Sequence, residues 1–501
     1  MMSDLTDIGT PFGTKIHQVA QANPDGVGLT FVAEGGSERT VTFGELDERS
    51  TGLAWVLSTR GLKTGETMVV SLKNSPEHLI ATFAGWKVGA VVIPMRWNLP
   101  EWERERVLAT IHPDLIIDAE RTDLFEEMAS APSELLPEAT PPHGWGICSS
   151  GSTGTPKVIM MKNPGRYIEG PSTAAAVESY GPLPQPQRVL IPAPLYHSNG
   201  FTATRNLMAG IEVVLLERFD AHRVLDVIER LRVTGFVGAS PMLQRLAQVP
   251  DIEQRDLSSL DWVQQGAALL PVWLGRKWCE LVGPERFFVT YGASERHGLA
   301  CCRGDEWLER PGTVGRGYQD TEIVIMDESG KPATTGEVGG IYMRKPNGPD
   351  ATYLGDNVEP LLTTDDGFVT VGDMGWLDDA GYLFIADRRV DMIVTGGVNV
   401  FPAEVEAALS EHSGIADVVV VGLRDAEWGR RIHAIVQPAD PAKAPDPSDV
   451  IAFAKARLAA YKVPKTVELI TAMPRNDIMK INRATLTEER DGPEPTRSSS
   501  T

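Results

Sequence analysis

Short apolar runs alternate along this chain with longer stretches whose apolar positions recur at helical spacing. TMVVSL (67–72), AVVIPM (90–95) and LIID (115–118) are predicted to be short buried strands. Between the first two, SPEHLIATFAGWKVG (75–89) predicts a helix that begins near Ser75 and Pro76 and closes at Gly89. Asp220 stands where it could cap a helix with Val224, Leu225, Ile228 and Leu231 on one face, and FVGAS (236–240) reads as the next strand. Strands alternating with helices predict an α/β architecture with largely parallel sheets. The stretch 127–145, rich in Pro and small residues, reads as an exposed connector into a glycine-rich segment. Beyond about residue 388 the pattern changes. VFPAEVEAALSEH (400–412) predicts a helix with Pro402 at its start. DVVVVGL (417–423) and HAIVQP (433–438) predict strands, and VIAFAKARLAA (450–460) another helix. The expected division is therefore 1–388, a small α+β domain over 389–490, and a polar, disordered tail over 491–501.

At 501 residues the chain can bury more than one core. The formal charge of -21 argues against nucleic acid or an anionic membrane as partner, since both call for clustered Lys and Arg. It leaves room for a small phosphate ligand, which needs only a local cradle. The four cysteines, Cys148, Cys279, Cys301 and Cys302, have no zinc-ligand spacing and read as free thiols of a reducing compartment. No basic segment followed by an apolar stretch opens the chain, and no run reaches the roughly 18 apolar residues of a membrane span. A cytoplasmic location is expected.

The sharpest chemical feature is Ser149-Ser150-Gly151-Ser152-Thr153-Gly154-Thr155-Pro156-Lys157. Such a loop offers consecutive backbone N–H groups, several hydroxyls and one cation, which is what holding a polyphosphate requires. It is not a Walker A loop, because Lys157 follows Thr-Pro rather than Gly. The loop resembles the phosphate loop of the adenylate-forming, or AMP-binding, enzymes, which include acyl-CoA synthetases, luciferases and the adenylation domains of peptide synthetases.

Five further stretches resemble that family in the same order. Tyr291-Gly292-Ala293-Ser294-Glu295 is similar to its YGxTE element. The resemblance implies Tyr291 on the adenine, Ser294 at phosphate and Glu295 on Mg²⁺, and a hard cation between phosphates does favour carboxylate oxygen. Gly372-Asp373 is similar to the TGD element, with Val371 in place of Thr; Asp373 would take the ribose hydroxyls. Asp387-Arg388 and, after a short strand, Thr395-Gly396-Gly397 follow; Arg388 would reach the ribose, and Gly396 and Gly397 would line the thiol's path. Gln265-Gly266-Ala267-Ala268-Leu269 is close to the family's GGAxL stretch, with Gln265 for the first Gly, and implies Gly266 and Ala267 beside the nucleotide. Pro474 to Ile481 aligns Lys480 with the family's catalytic lysine, although Met479 stands where Gly is usual.

The resemblance implies stacked α/β subdomains in the N-terminal region, a mobile C-terminal cap, and an active site between them. ATP, Mg²⁺ and coenzyme A are the implied cofactors and co-substrates. The implied reaction is attack of a carboxylate on the α-phosphate, then transfer of the acyl group to a thiol. The family's hinge position falls on Val390, with Asp391 next, where Asp or Lys is usual. In Pro194-Leu195-Tyr196-His197, His197 occupies the place that is Asp in amino-acid-activating relatives and His in acyl- and aryl-CoA ligases. A neutral imidazole gives an amine no countercharge but can lie against a carboxylate or close an acyl channel; a buried structural His is the alternative. The acid pocket is expected along 197–205, 238–241, 264–269 and 291–297, where Gly238, Ala239, Ser240, Gly266 and Ala267 leave volume for a bulky aryl, alicyclic or steroid-like acid. A carrier protein as acyl acceptor, a luciferase-like oxidation and a degenerate nucleotide-binding module remain as alternatives. A homodimer is a further expectation, with Trp97 and Trp102 at the surface or an interface.

Overall fold

The computed structural model describes residues 8–148, 157–170, 174–355, 360–388, 390–425, 427–477 and 479–491. The expected α/β class is what the chain adopts. Helix Pro76–Val88 has Ser75 as its N-cap, accepting from the His78 N–H, with Pro76 in the first turn and Gly89 at φ +85 closing it. It is buried all round between strands Thr67–Ser71 and Val91–Pro94, which pair in parallel with each other; Thr67–Ser71 also pairs in parallel with Leu115–Asp118. Asp220 caps helix Ala221–Leu231 through the Arg223 N–H, and that helix buries Val224, Leu225 and Ile228 against the same core as strand Phe287–Gly292.

Among the described residues, fifteen strands hydrogen-bond into one continuous sheet. One half is parallel, in the order Phe287–Gly292, Trp262–Gly266, Gly235–Ala239, Arg188–Ile191, Glu212–Leu216, Val27–Val32. The other half, from Leu299–Arg303 through Thr313–Gly317, Leu383–Arg388, Asp373–Leu377 and Gly339–Arg344, is antiparallel. The expectation of largely parallel sheets is thus corrected for residues 299–388. Strands there are joined by short turns such as residues 378–382, with Gly381 at φ +78, and so few residues are too short for the crossover that parallel neighbours need.

Strands Gly146–Cys148 and Val158–Met161 form a hairpin, extended by Ala351–Leu354. The loop between the first two is the glycine-rich segment. Its residues Ser149 to Thr155 lie outside the described residues, but Cys148 and Lys157 mark where it leaves and rejoins the fold. The connector before it is less exposed than expected: helix Thr122–Met128 runs into it, and Pro141 and Gly144 are buried.

After residue 391 the chain builds a separate core. Strands Ile415–Asp425, Gly429–Pro438 and Thr466–Leu469 form one sheet, with helices Pro402–Leu409 and Pro447–Lys455 on one side and Arg483–Asp491 packed against Ile415–Asp425. The second helix starts and ends earlier than its apolar pattern suggested, because Asp446 caps it and Pro447 fixes its first turn. The expected disordered tail falls, from residue 492 on, outside the described residues.

Candidate active site

Every strand of the parallel half ends on the same edge of the sheet, and in open α/β sheets ligands bind outside the carboxyl ends of strands. The chain's candidates collect there. Ala193 to His197 follow strand Arg188–Ile191, Ser240 follows Gly235–Ala239, Ala267 follows Trp262–Gly266, and Ala293 to Arg296 follow Phe287–Gly292. Together they wall a cavity of about 1860 Å³, closed on its far side by Asp417, Arg475, Met479 and Lys480 of the C-terminal unit.

His197 is the N-cap of helix Ser198–Met208. Burial, and then the charge of Lys480, push its imidazole down to about 3, so it stands neutral at the cavity wall. Lys480 and His197 line the same cavity within electrostatic reach of each other, although 283 positions separate them in sequence. Lys480 is set by a tight turn: its N–H donates to Asn476 Oδ1 at 2.9 Å, and its carbonyl accepts from the Asn476 N–H at 3.0 Å. Arg475 holds this turn by donating to the Met479 carbonyl at 2.8 Å and pairing with both oxygens of Asp417 at 2.6 and 2.7 Å. The turn docks on the N-terminal region through Tyr196, whose hydroxyl donates to Asp477 Oδ2 at 3.0 Å, with Arg96 Nε 3.4 Å from the same oxygen.

Ser294 Oγ lies 3.0 Å from Ser198 Oγ. Glu295 Oε1 accepts from the Tyr353 hydroxyl at 2.8 Å, and Lys157 Nζ sits 4.6 Å above the Tyr353 ring. One tyrosine thus brings the lysine after the glycine-rich segment to the glutamate of the second stretch. Arg296 faces the open cavity at φ +53, with its guanidinium 5.2 Å from the Trp145 ring. Burial lowers its pKa, opposed by Asp350, which Lys345 already contacts at 2.7 Å. Among the described residues, ten Lys and Arg side chains against eight Asp and Glu line this cavity, a slight local excess of cations within a chain of charge -21, and Lys157, Arg296 and Lys480 are among those that could meet an anionic substrate.

On the remaining wall, the Tyr291 hydroxyl donates to Asp373 Oδ2 at 2.7 Å. Asp373 pairs in register with Arg388 across adjacent strands, so two separately expected ribose contacts share one ladder position. Gly266 stands where an added Cβ would meet Thr290 Oγ1 at 3.1 Å, and Ala267 takes φ +65. Gly292 sits beside the cavity at the end of its strand.

Five expected lining positions are corrected: Gly200 and Ala203 are buried in helix Ser198–Met208 and do not line the cavity, and three others turn away from it. Gly238 packs toward Leu243, His297 is 1% exposed behind Glu295 and Arg296, and Gln265 points inward, donating to Ser240 Oγ at 2.8 Å and the Ala268 carbonyl at 2.5 Å. None of the three lines the cavity. Gln265 instead fixes the loop that presents Ala267 and Ala268. Gly396 and Gly397 are also away from the cavity. They form the exposed turn between strands Ile393–Thr395 and Val398–Val400, where an added Cβ at Gly396 would meet the Trp428 ring at 2.7 Å. Val390 is 73% exposed, while its neighbour Asp391 lies 3.3 Å from Arg483, which also grips Glu406.

Sequence reasoning gave no role to Tyr196, Asp477, Tyr353 or Trp145, and reached Arg296 only as part of the pocket stretch 291–297. Tyr196 and Asp477 lie inside stretches quoted for a neighbouring candidate, the only signal available. Tyr353 carries none, because its neighbours in space are 58 and 196 positions away.

For magnesium, the donor set is one carboxylate. No group of three His, Cys, Asp or Glu side chains gathers as a metal site among the described residues. This suits an ion that takes one or two protein carboxylates and completes its shell with phosphate and water.

The AMP-binding enzyme model matches residues 16–142 and 146–349, and the AMP-binding enzyme C-terminal domain model matches 404–480. An indoleacetate–CoA ligase of Aromatoleum aromaticum is 30% identical, over 89% of this chain and 92% of its own. A fatty acid–acyl-carrier-protein ligase of Streptomyces coeruleorubidus is 29% identical, over 89% of this chain and 91% of its own. The o-succinylbenzoate CoA synthetase of Bacillus subtilis, in complex with its acyl-adenylate intermediate, superimposes with a TM-score of 0.80 at 26% identity, covering 94% of this chain and 97% of that one. The same enzyme has been solved with ATP and magnesium ion. With two matched models spanning both cores and a cavity built at the strand ends between them, the chain belongs to the AMP-binding enzyme family.

Proposed function

We propose that this chain is an ATP-dependent carboxylic acid–CoA ligase, which forms an acyl-adenylate and pyrophosphate and then acyl-CoA and AMP. The observation that carries the reading is the placement of Lys480, delivered by the C-terminal unit to the cavity wall beside neutral His197. A cation there can neutralise the carboxylate and the α-phosphate as the bond between them forms, and a neutral imidazole lets an anionic acid approach without a fixed partner. Residues 149–155 and Lys157 would hold the β- and γ-phosphates, with Ser294 alongside. Glu295 would hold Mg²⁺, which when bound offsets the charge of the departing pyrophosphate. Tyr291, Gly266, Ala267 and Gly292 would frame the adenine, and Asp373 and Arg388 the ribose. The acid would lie along Phe201, Trp145 and Ile159, an apolar wall that suits an aryl or other bulky acid.

The thiol path at Gly396 and Gly397 would be formed only after the C-terminal unit re-docks about residues 388–391, the boundary we assign between the domains. Four free cysteines, with no disulfide among the described residues, support a reducing cytoplasm as its location. No helix among the described residues is long and apolar enough to cross a membrane. Trp97 and Trp102, 45% and 58% exposed, are where a homodimer contact would be sought by light scattering.

A screen of carboxylic acids for pyrophosphate release, with and without CoA, tests the proposal. Acid-dependent release and acyl-CoA formation are expected. Release without acyl-CoA would instead favour transfer to a carrier protein, the reading that the Streptomyces relative supports.

A further inference from the structure

The turn that presents Lys480 contains a residue whose backbone and side chain pull in opposite directions. Met479 has φ +64, a left-handed conformation that L side chains with a Cβ disfavour and that glycine or asparagine usually fills. Its side chain nevertheless reaches only 6% exposure. It packs with Ala193, Ala239 and Met242, and Phe219 lies against the group. Ala193 follows strand Arg188–Ile191, Ala239 ends strand Gly235–Ala239, and Met242 lies on helix Ser240–Ala247. The two alanines put only methyl groups here, at the carboxyl edge of the parallel strands, and Met479 packs against them.

This small cluster differs from the other hydrophobic clusters among the described residues. The others draw their members either from residues before 388 or from residues after it. The Met479 cluster joins the two. The socket is itself fixed, because the Asn74 side-chain amide donates to the Ala193 carbonyl at 3.1 Å and its Oδ1 accepts from the Leu195 N–H at 2.7 Å. On the other side, Arg475 ties the Met479 carbonyl to Asp417 of the C-terminal sheet.

We infer that Met479 is a positioning residue for the first half-reaction: an apolar anchor that plugs the C-terminal unit into the socket of Ala193, Ala239 and Met242 and so seats Lys480 beside His197. A strained backbone persists where surrounding contacts over-determine it. Here the contact that does so is the buried thioether chain, which is flexible enough to fill an irregular socket from an unfavourable backbone. The inference rests on the ligase reading for its rate consequences but not for its structural one.

The test uses full-length Met479→Gly, Met479→Ala and Met479→Leu in two measurements. In the first, hydrogen exchange of the unmutated peptides covering 193–197 and 239–242 is followed without substrate. Met479→Gly relieves the backbone and deletes the anchor, and exchange there is expected to quicken at least fivefold, with Met479→Leu close to wild type. In the second, acid-dependent pyrophosphate release and acyl transfer from supplied acyl-adenylate to CoA are timed separately. The ratio of the first rate to the second is expected to fall at least tenfold in Met479→Gly, to fall also in Met479→Ala, and to recover in Met479→Leu. Wild-type exchange in the glycine variant, or an unchanged ratio, would overturn the inference. If the wild-type protein adenylates no acid, the ligase reading fails, and the exchange measurement still decides whether Met479 anchors the unit.

Discussion

Replacing Tyr196 by Phe removes one oxygen atom and should separate the two half-reactions. The ring is 9% exposed and packs where it is, so the fold has no reason to change. What is lost is the hydroxyl that donates to Asp477 Oδ2 at 3.0 Å. Burial first, and then Asp477, raise the pKa of that hydroxyl, so it stays a proton donor at any working pH. A hydrogen bond to a charged group contributes about 1.5–3 kcal/mol. The lower end applies, because Arg96 Nε remains 3.4 Å from the same carboxylate and keeps it from standing alone. The contact exists only while the 475–480 turn is docked, so its loss falls on the docked population. At about 1.5 kcal/mol, the rate of acid-dependent pyrophosphate release should drop roughly tenfold. Transfer from supplied acyl-adenylate to CoA should change little. Asp477→Ala removes both partners and should cost more. In the double variant Tyr196→Phe should add almost nothing, since its partner is gone. Single-turnover quench measurements of both half-reactions give the numbers. Equal losses in both steps, or additive losses in the double variant, would refute the reasoning.

Other consequences can be checked independently. Glu295→Gln keeps the shape of the side chain but not its charge. Adenylation should fall on the order of 100-fold, and the magnesium concentration at half-maximal rate should rise, as read from magnesium titrations at saturating ATP. Stability should fall on acidification, because His78, fully buried with its Nδ1–H donating to the Leu72 carbonyl at 3.1 Å, is held down to about 4 by burial. Its folded pKa lies below its unfolded value, so below about pH 6.5 the unfolded chain takes up a proton that the folded chain does not. That costs about 1.4 kcal/mol per pH unit until the folded group titrates. Urea midpoints between pH 7 and pH 5 should show it, with a flatter dependence in His78→Gln.

How much of this was legible in the sequence depended on the range of the interactions. Helix Pro76–Val88 was readable because its cap, its first-turn proline and its terminal glycine are all local. Helix Ala221–Leu231 was readable from Asp220 and one apolar stripe. The parallel half of the sheet followed from alternation with helices, but the antiparallel half did not, since among the described residues no helix separates its strands from Thr313 to Arg388 and Thr313–Gly317, Gly339–Arg344 and Asp373–Leu377 each carry glycine. In the candidate site, Lys480, His197 and Glu295 were singled out from motif order, yet nothing local says that Lys480 lines the same cavity as His197. The opposite fates of Gln265 and Met479 make the same point. Both replace a usual glycine, and only the fold shows that one side chain braces a loop while the other plugs a socket between two cores.

The central claim is that a lysine supplied by the C-terminal unit completes the site of adenylation. Its most direct test is to time both half-reactions of Lys480→Ala with an acid that the wild-type protein activates. Pyrophosphate release should fall by about 10²–10³, while acyl transfer from supplied acyl-adenylate to CoA proceeds near the wild-type rate. A variant that releases pyrophosphate as fast as the wild type would contradict the account.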